Sequence, residues 1–311
     1  MSNMVQYGVW PNCCNACDFC LREERIPYPK DKQLYWLNQI IKNLDYVDFE
    51  DKFSNGISLL GGELYYITDE DLQEKFLELI DAIIEKVLKK SPNPSCKYST
   101  VTNGLYDPTF LYKVIDKIKK AVGMEKVDLN FSYDLKYRFH SEDKRLLCLK
   151  NINAFHERYD YAVGVQMILT QYVINLWKDN KFDVNEFIET QIPGNKLAFL
   201  YPHPIKTGMI LDDFNFKRVD LFDFLKYLKK ANIEVYYSFL QSTKNSCSFK
   251  YTGLKSRDPD DEEDECYEQP VLTDGKQILT NCGHSILYRC YSDCNKCLLC
   301  DLEALDNEIY I

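Results

Sequence analysis

The chain lacks any long apolar run. No stretch of about 18 uncharged apolar residues occurs in its 311 residues, so no membrane-spanning helix is expected. It also lacks the start of an export signal. Residues 1–7, Met-Ser-Asn-Met-Val-Gln-Tyr, do not set a basic segment ahead of an apolar one. Positive charge is in deficit. Lys and Arg number 38 against 48 Asp and Glu, for a net charge of -10. That balance argues against a general nucleic-acid binder, which needs a basic face to neutralise phosphates. A local basic patch stays open. Together these absences predict a cytoplasmic protein with no membrane partner.

What is present points to a folded, metal-binding chain. Apolar residues make up 45%, enough for a real core, and the length suits one large domain or a large and a small one. Thirteen cysteines without an export signal fit metal binding in a reducing compartment better than a disulfide framework.

The densest early signal is Pro11-Asn12-Cys13-Cys14-Asn15-Ala16-Cys17-Asp18-Phe19-Cys20, just behind the apolar segment 5–10. Cys13, Cys17 and Cys20 have the spacing C-x3-C-x2-C. Three thiolates this close can hold three irons of a cubane 4Fe-4S cluster and leave the fourth iron open to a substrate. Other readings stand beside this one. A structural zinc site also uses close cysteines, but it needs four ligands. The run can also be divided as Cys14-x2-Cys17-x2-Cys20, with Cys13 spare.

Strand and helix signals alternate up to about residue 241. Leu72, Phe76, Leu79, Ile80, Ile83, Ile84, Val87 and Leu88 recur at helical spacing, with Thr68 and Asp71 as an N-cap pair and Pro92 and Pro94 as a stop. A second helix begins at Asp107-Pro108 and sets Leu111, Val114, Ile115 and Ile118 on one face. A third covers 219–230. Strand-like runs lie at 98–102, 127–133, 161–169, 196–201 and 234–240. This rhythm implies a parallel α/β sheet with right-handed connections, in which functional residues gather at the C-terminal ends of the strands. Gly61-Gly62-Glu63, Thr102-Asn103 and Ser132 to Asp134 all fall at such ends.

These motifs, taken in order, resemble the radical S-adenosylmethionine enzymes. Cys13, Cys17, Phe19 and Cys20 match the family's loop C-x3-C-x-aromatic-C. Ile57-Ser58-Leu59-Leu60-Gly61-Gly62-Glu63 is similar to its strand ending in Gly-Gly-Glu. Tyr98-Ser99-Thr100-Val101-Thr102-Asn103-Gly104 is similar to its third strand. Residues 127–134 and 163–170 are similar to its fourth and fifth. Two departures are visible: Cys14 stands where the family often has Asn, and Leu64 where Pro usually follows Gly-Gly-Glu. The resemblance implies a partial (β/α)6 TIM-like barrel over 1–241. It implies that Cys13, Cys17 and Cys20 hold the cluster. Gly61, Gly62, Glu63, Asn103, Ser132, Asp134, Gln166 and Phe19 would then bind the cofactor, with Glu63 pairing to the methionine ammonium. The implied reaction is reductive cleavage of S-adenosylmethionine to a 5'-deoxyadenosyl radical that abstracts hydrogen from a substrate. A flavodoxin or ferredoxin would supply the electron.

Beyond residue 241 the chain changes. Asp258-Pro259-Asp260-Asp261-Glu262-Glu263-Asp264-Glu265 reads as a solvated acidic loop without the glycine register of an EF-hand. Cys266, Cys282, Cys290, Cys294, Cys297 and Cys300 follow within 35 residues, with Asp274-Gly275-Lys276 as a hairpin turn between the first two. This small cysteine-rich extension, 242–311, resembles the SPASM or twitch auxiliary-cluster domains. The first reading is an auxiliary 4Fe-4S cluster; a zinc knuckle is the alternative. Cys96 and Cys148 read as buried small apolar residues.

By resemblance, an auxiliary cluster implies a peptide or protein side chain as substrate. No leader-peptide-binding domain is read ahead of Cys13, so the barrel or a partner is expected to hold the peptide. Tyr201-Pro202-His203-Pro204 is a candidate substrate contact, or simply a rigid turn. Two alternatives remain at this stage: radical chemistry on a small metabolite or nucleotide, and a non-catalytic iron-sulfur or zinc protein.

Overall fold

The computed structural model describes residues 3–18, 27–46, 54–200 and 217–236. Seven strands and seven α-helices alternate along these residues, except that two helices stand between the fifth and sixth strands. They divide into two compact units, with the boundary inside the fourth strand after Phe131.

The first unit carries β1 (Asn3–Gly8), β2 (Ser54–Leu60), β3 (Lys97–Thr102) and most of β4 (Val127–Tyr133). Neighbours pair in chain order and in parallel, with Val5 beside Ile57, Ile57 beside Tyr98, and Tyr98 beside Val127. The connecting helices are α1 (Lys30–Asn43), α2 (Glu70–Ile83) and α3 (Thr109–Val122). The periodicity read for α2 and α3 holds. Leu72, Phe76, Leu79, Ile80 and Ile83 are buried on α2, and Leu111, Val114, Ile115 and Ile118 on α3. A π-helical turn, Ile84–Leu88, prolongs α2 and buries Val87 and Leu88 before Pro92 is reached. The cap of α2 differs from the expectation by one residue. Asp69, not Thr68, accepts the Leu72 N–H at 3.1 Å, because its carboxylate reaches the third helical amide from an extended backbone. α1 packs on α2, and its Trp36, Leu37 and Ile40 are all at most 1% exposed.

The second unit holds α4 (Glu142–Tyr159), β5 (Gly164–Ile168), α5 (Gln171–Lys178), α6 (Val184–Gln191), β6 (Lys196–Leu200), α7 (Arg218–Lys230) and β7 (Glu234–Tyr236). β5, β6 and β7 pair in parallel. The fifth strand begins at Gly164, three residues later than read. α5 packs on α7, where Trp177 meets Phe224 at 5.3 Å and Tyr227 at 5.2 Å between ring centroids. With β7 the described strands number seven, one more than the six of the expected barrel. The expected boundary at 241 and the extension 242–311 lie outside the described residues, as does 201–204.

Candidate active site

The first unit builds its site by laying the cysteine loop along the Gly-Gly-Glu turn. After β1, Val9 N–H donates to Leu60 O at 2.8 Å, which carries the ladder one residue past the end of β1. Gly62 N–H then donates to Trp10 O, and Glu63 N–H to Asn12 O, each at 2.7 Å. Only glycine permits this approach at 62. A Cβ there would lie 1.7 Å from Asn12 O; at Gly61 it would lie 2.4 Å from the Leu64 side chain and 3.1 Å from Trp10 O. Asn12 also closes the loop that follows it. Its Oδ1 accepts Tyr28 N–H at 2.8 Å, and its Nδ2 donates to Tyr28 O at 3.2 Å. No motif marked Asn12; the bond spans sixteen residues, beyond any local pattern.

Glu63 is 1% exposed. Thr102 Oγ1 donates to its Oε1 at 2.9 Å, Tyr65 N–H to the same oxygen at 3.3 Å, and Asn103 N–H to Oε2 at 2.6 Å. Burial pushes the carboxyl up to about 7, against the opposing pull of those three donors; negative charge on Cys13 pushes the same way as burial. Thr102 is the hub of this corner. Its hydroxyl also accepts Gly104 N–H at 3.1 Å and meets Tyr106 OH at 2.6 Å. Sequence reasoning cited Thr102 only as part of a strand ending. Its alternation in β3 could have placed it inside, but not on a carboxylate.

Asn103 turns its side chain to the cysteines. Nδ2 donates to Cys13 Sγ at 3.5 Å and to Cys14 Sγ at 3.6 Å, and Oδ1 accepts Leu105 N–H at 2.8 Å. Cys13 is exposed and also accepts Asn15 N–H at 3.4 Å. Cys14 faces inward, with Leu105 O and Asn103 Oδ1 each 3.8 Å from its sulfur. Its hydrogen bond with Cys13, and after that its burial, push the Cys14 thiol well up and hold it protonated. Cys13 has the acceptor character of a ligand thiolate; Cys14 has that of a neutral thiol.

The second unit holds Cys17 through a loop organised by Asp134. This carboxylate is 1% exposed, and its Oδ1 accepts the N–H groups of Lys136 at 2.7 Å, Arg138 at 3.2 Å and Tyr137. Burial raises its carboxyl, opposed by the Lys136 N–H and the Arg138 charge. The loop so formed reaches the cysteine segment twice. Tyr137 O accepts Asp18 N–H at 3.1 Å, and Arg138 Nη1 donates to Cys17 Sγ at 3.6 Å. Ser132 and Gln166 sit half-buried on β4 and β5.

Glu63, Gly61, Gly62, Asn103 and Cys13 therefore converge in one unit, and Asp134 and Cys17 in the other. Phe19, Cys20, Cys266, Cys282, Cys290, Cys294, Cys297 and Cys300 lie outside the described residues. Among the described residues, no three His, Cys, Asp or Glu side chains stand at metal-binding distance. Cys13 and Cys17 nonetheless fit an iron-sulfur group, since each sulfur accepts N–H donors as a ligand thiolate does. Cys96 and Cys148 are fully buried and far from these loops in sequence, as expected of apolar filling. No described helix is long and apolar enough to cross a membrane.

No family model matches the chain, and no curated protein sequence does. Solved structures do. Tagged anSMEcpe with bound AdoMet matches at 17% identity and a TM-score of 0.50, over 80% of this chain and 67% of that one. Native anSMEcpe with bound AdoMet and Cp18Cys peptide matches at 17% and 0.47, over 77% of this chain and 64% of that one. Streptococcus suis SuiB bound to precursor peptide SuiA matches at 14% and 0.45, over 76% of this chain and 48% of SuiB, so the match spans about half of SuiB. At such identities the likeness is one of fold. The parallel α/β architecture described here is a fold that this chain shares with anSMEcpe.

Proposed function

We propose that the chain is a radical S-adenosylmethionine enzyme. The observation that carries this is the seating of the Cys13 loop on Gly61-Gly62-Glu63, within a fold shared with AdoMet-bound anSMEcpe. Cys13, Cys17 and Cys20 hold a 4Fe-4S cluster. When bound, that cluster supplies the electron that cleaves S-adenosylmethionine reductively, generating the radical that takes hydrogen from a substrate. Glu63, Gly61, Gly62 and Asn103, with Ser132, Asp134, Gln166 and Phe19, receive and orient the cofactor. Glu63 is kept in place by Thr102, Tyr65 and Asn103, so its carboxylate needs no reorganisation to meet an ammonium. The chain's contribution is orientation and exclusion of water.

The proposed substrate is a peptide or protein side chain. This rests on the likeness of residues 242–311 to auxiliary-cluster domains, with a second 4Fe-4S cluster on some of Cys266, Cys282, Cys290, Cys294, Cys297 and Cys300. A flavodoxin or ferredoxin is the proposed electron donor. Cofactor binding tests the reading. Protein reconstituted anaerobically with iron and sulfide should show an altered EPR spectrum in the reduced state when S-adenosylmethionine is added. Glu63→Ala should keep its iron and lose that response; an unchanged response in Glu63→Ala removes the role given to the carboxylate.

A further inference from the structure

Arg138 stands on the sulfur of Cys17, with Nη1 donating to Sγ at 3.6 Å. Three observations make this a built contact. Cys17 is 7% exposed, so its sulfur meets the guanidinium out of bulk water. The backbone of Arg138 is fixed by its own N–H bond to the buried Asp134 carboxylate, alongside those of Lys136 and Tyr137. The two loops are also tied one residue away from each partner, by Asp18 N–H on Tyr137 O.

We propose that Arg138 is a positioning residue that sets the charge at the Cys17 thiolate, and through it the electron affinity of the cluster this thiolate ligates. The proposal rests on the function given above. A guanidinium stays charged at any working pH. Uptake of one electron from a low-potential donor such as dithionite makes the ligand set one unit more negative and moves no proton. A fixed cation and an N–H donor on a ligand sulfur both favour that more negative state, so Arg138 raises the midpoint potential. Sequence reading could not find it, because 121 residues separate Arg138 from Cys17.

The test is a potentiometric titration of the full chain, reconstituted anaerobically and followed by the EPR signal of the reduced state, with iron per chain measured beside it. Wild type, Arg138→Lys and Arg138→Gln are compared. Arg138→Gln should show about a tenfold lower ratio of reduced to oxidised cluster at a given potential, which is a midpoint about 59 mV lower for one electron. Arg138→Lys should stay near wild type, because it keeps the charge. Iron per chain normalises the signal of each variant, so that the midpoint alone decides. A wild-type midpoint in Arg138→Gln, or equal losses in both variants, would overturn it and leave a packing role. A wild type that takes up no iron would instead remove the cluster reading, and this proposal with it.

Discussion

At the scale of single residues, two groups beside the cysteine loop are tightly constrained. Gly62 has a carbonyl where a side chain would begin, so Gly62→Ala must push residues 11 and 12 off the turn. We expect a loss of about 1–3 kcal/mol in urea unfolding and reduced iron uptake. Wild-type stability and iron in Gly62→Ala would mean the loop is not seated as described. Glu63 is held as a carboxylate by three donors but penalised by burial, and its folded-state value of about 7 lies above the unfolded 4.5. The folded state therefore binds the extra proton across that window. Its contribution to stability is full below pH 4.5, is lost as pH rises towards 7, and amounts to roughly 3 kcal/mol. Glu63→Gln should flatten the fall in urea midpoint between pH 5 and 7.5; the same slope in both proteins would contradict the burial described. Glu63 was legible in the sequence as the end of a Gly-Gly-Glu turn. That Thr102 and Asn103 hold it was not, since they reach it across about forty positions and only the parallel pairing of β2 with β3 joins them.

At the scale of elements, the loop after β4 depends on one acceptor. Asp134→Ala would strand the N–H groups of residues 136–138 and release the loop that meets Cys17 and Asp18. We expect a loss of about 2 kcal/mol and lowered iron content, with Asp134→Asn retaining more of both because its amide oxygen can still accept. Equal iron in Asp134→Ala and wild type would show that the loop stands without it. Helix α2 offers a simpler case. Asp69→Ala removes a cap from Leu72 N–H and should cost about 1 kcal/mol in thermal or urea unfolding, while Thr68→Ala costs little. Legibility varied among the helices for a physical reason. α2 and α3 bury broad aliphatic stripes, which the 3.6-residue period exposes. α4 mixes polar groups into its buried face, where Asn151 lies with Cys148, Ile152 and Phe155, so its pattern is weak in the sequence. α1, α5 and α6 went unread as well, the last two being only 8 residues long.

At the scale of the whole molecule, order along the chain was the strongest signal. Cysteine loop, Gly-Gly-Glu, Thr-Asn-Gly and the β4 ending follow one another, and parallel pairing in chain order carries each to the same end of its strand. The six cysteines after residue 265 test the remaining organisation. Replacing Cys294, Cys297 and Cys300 with Ala should lower iron per chain while sparing cleavage of S-adenosylmethionine; unchanged iron with loss of zinc would make that region a zinc knuckle. The central measurement is 5'-deoxyadenosine by mass spectrometry, after anaerobic reconstitution with iron and sulfide and addition of dithionite and S-adenosylmethionine. Wild type should form it, and a variant with Cys13, Cys17 and Cys20 all replaced by Ala should not. Product in neither protein, with an intact cluster in the wild type and no spectral response to S-adenosylmethionine, would contradict the radical reading.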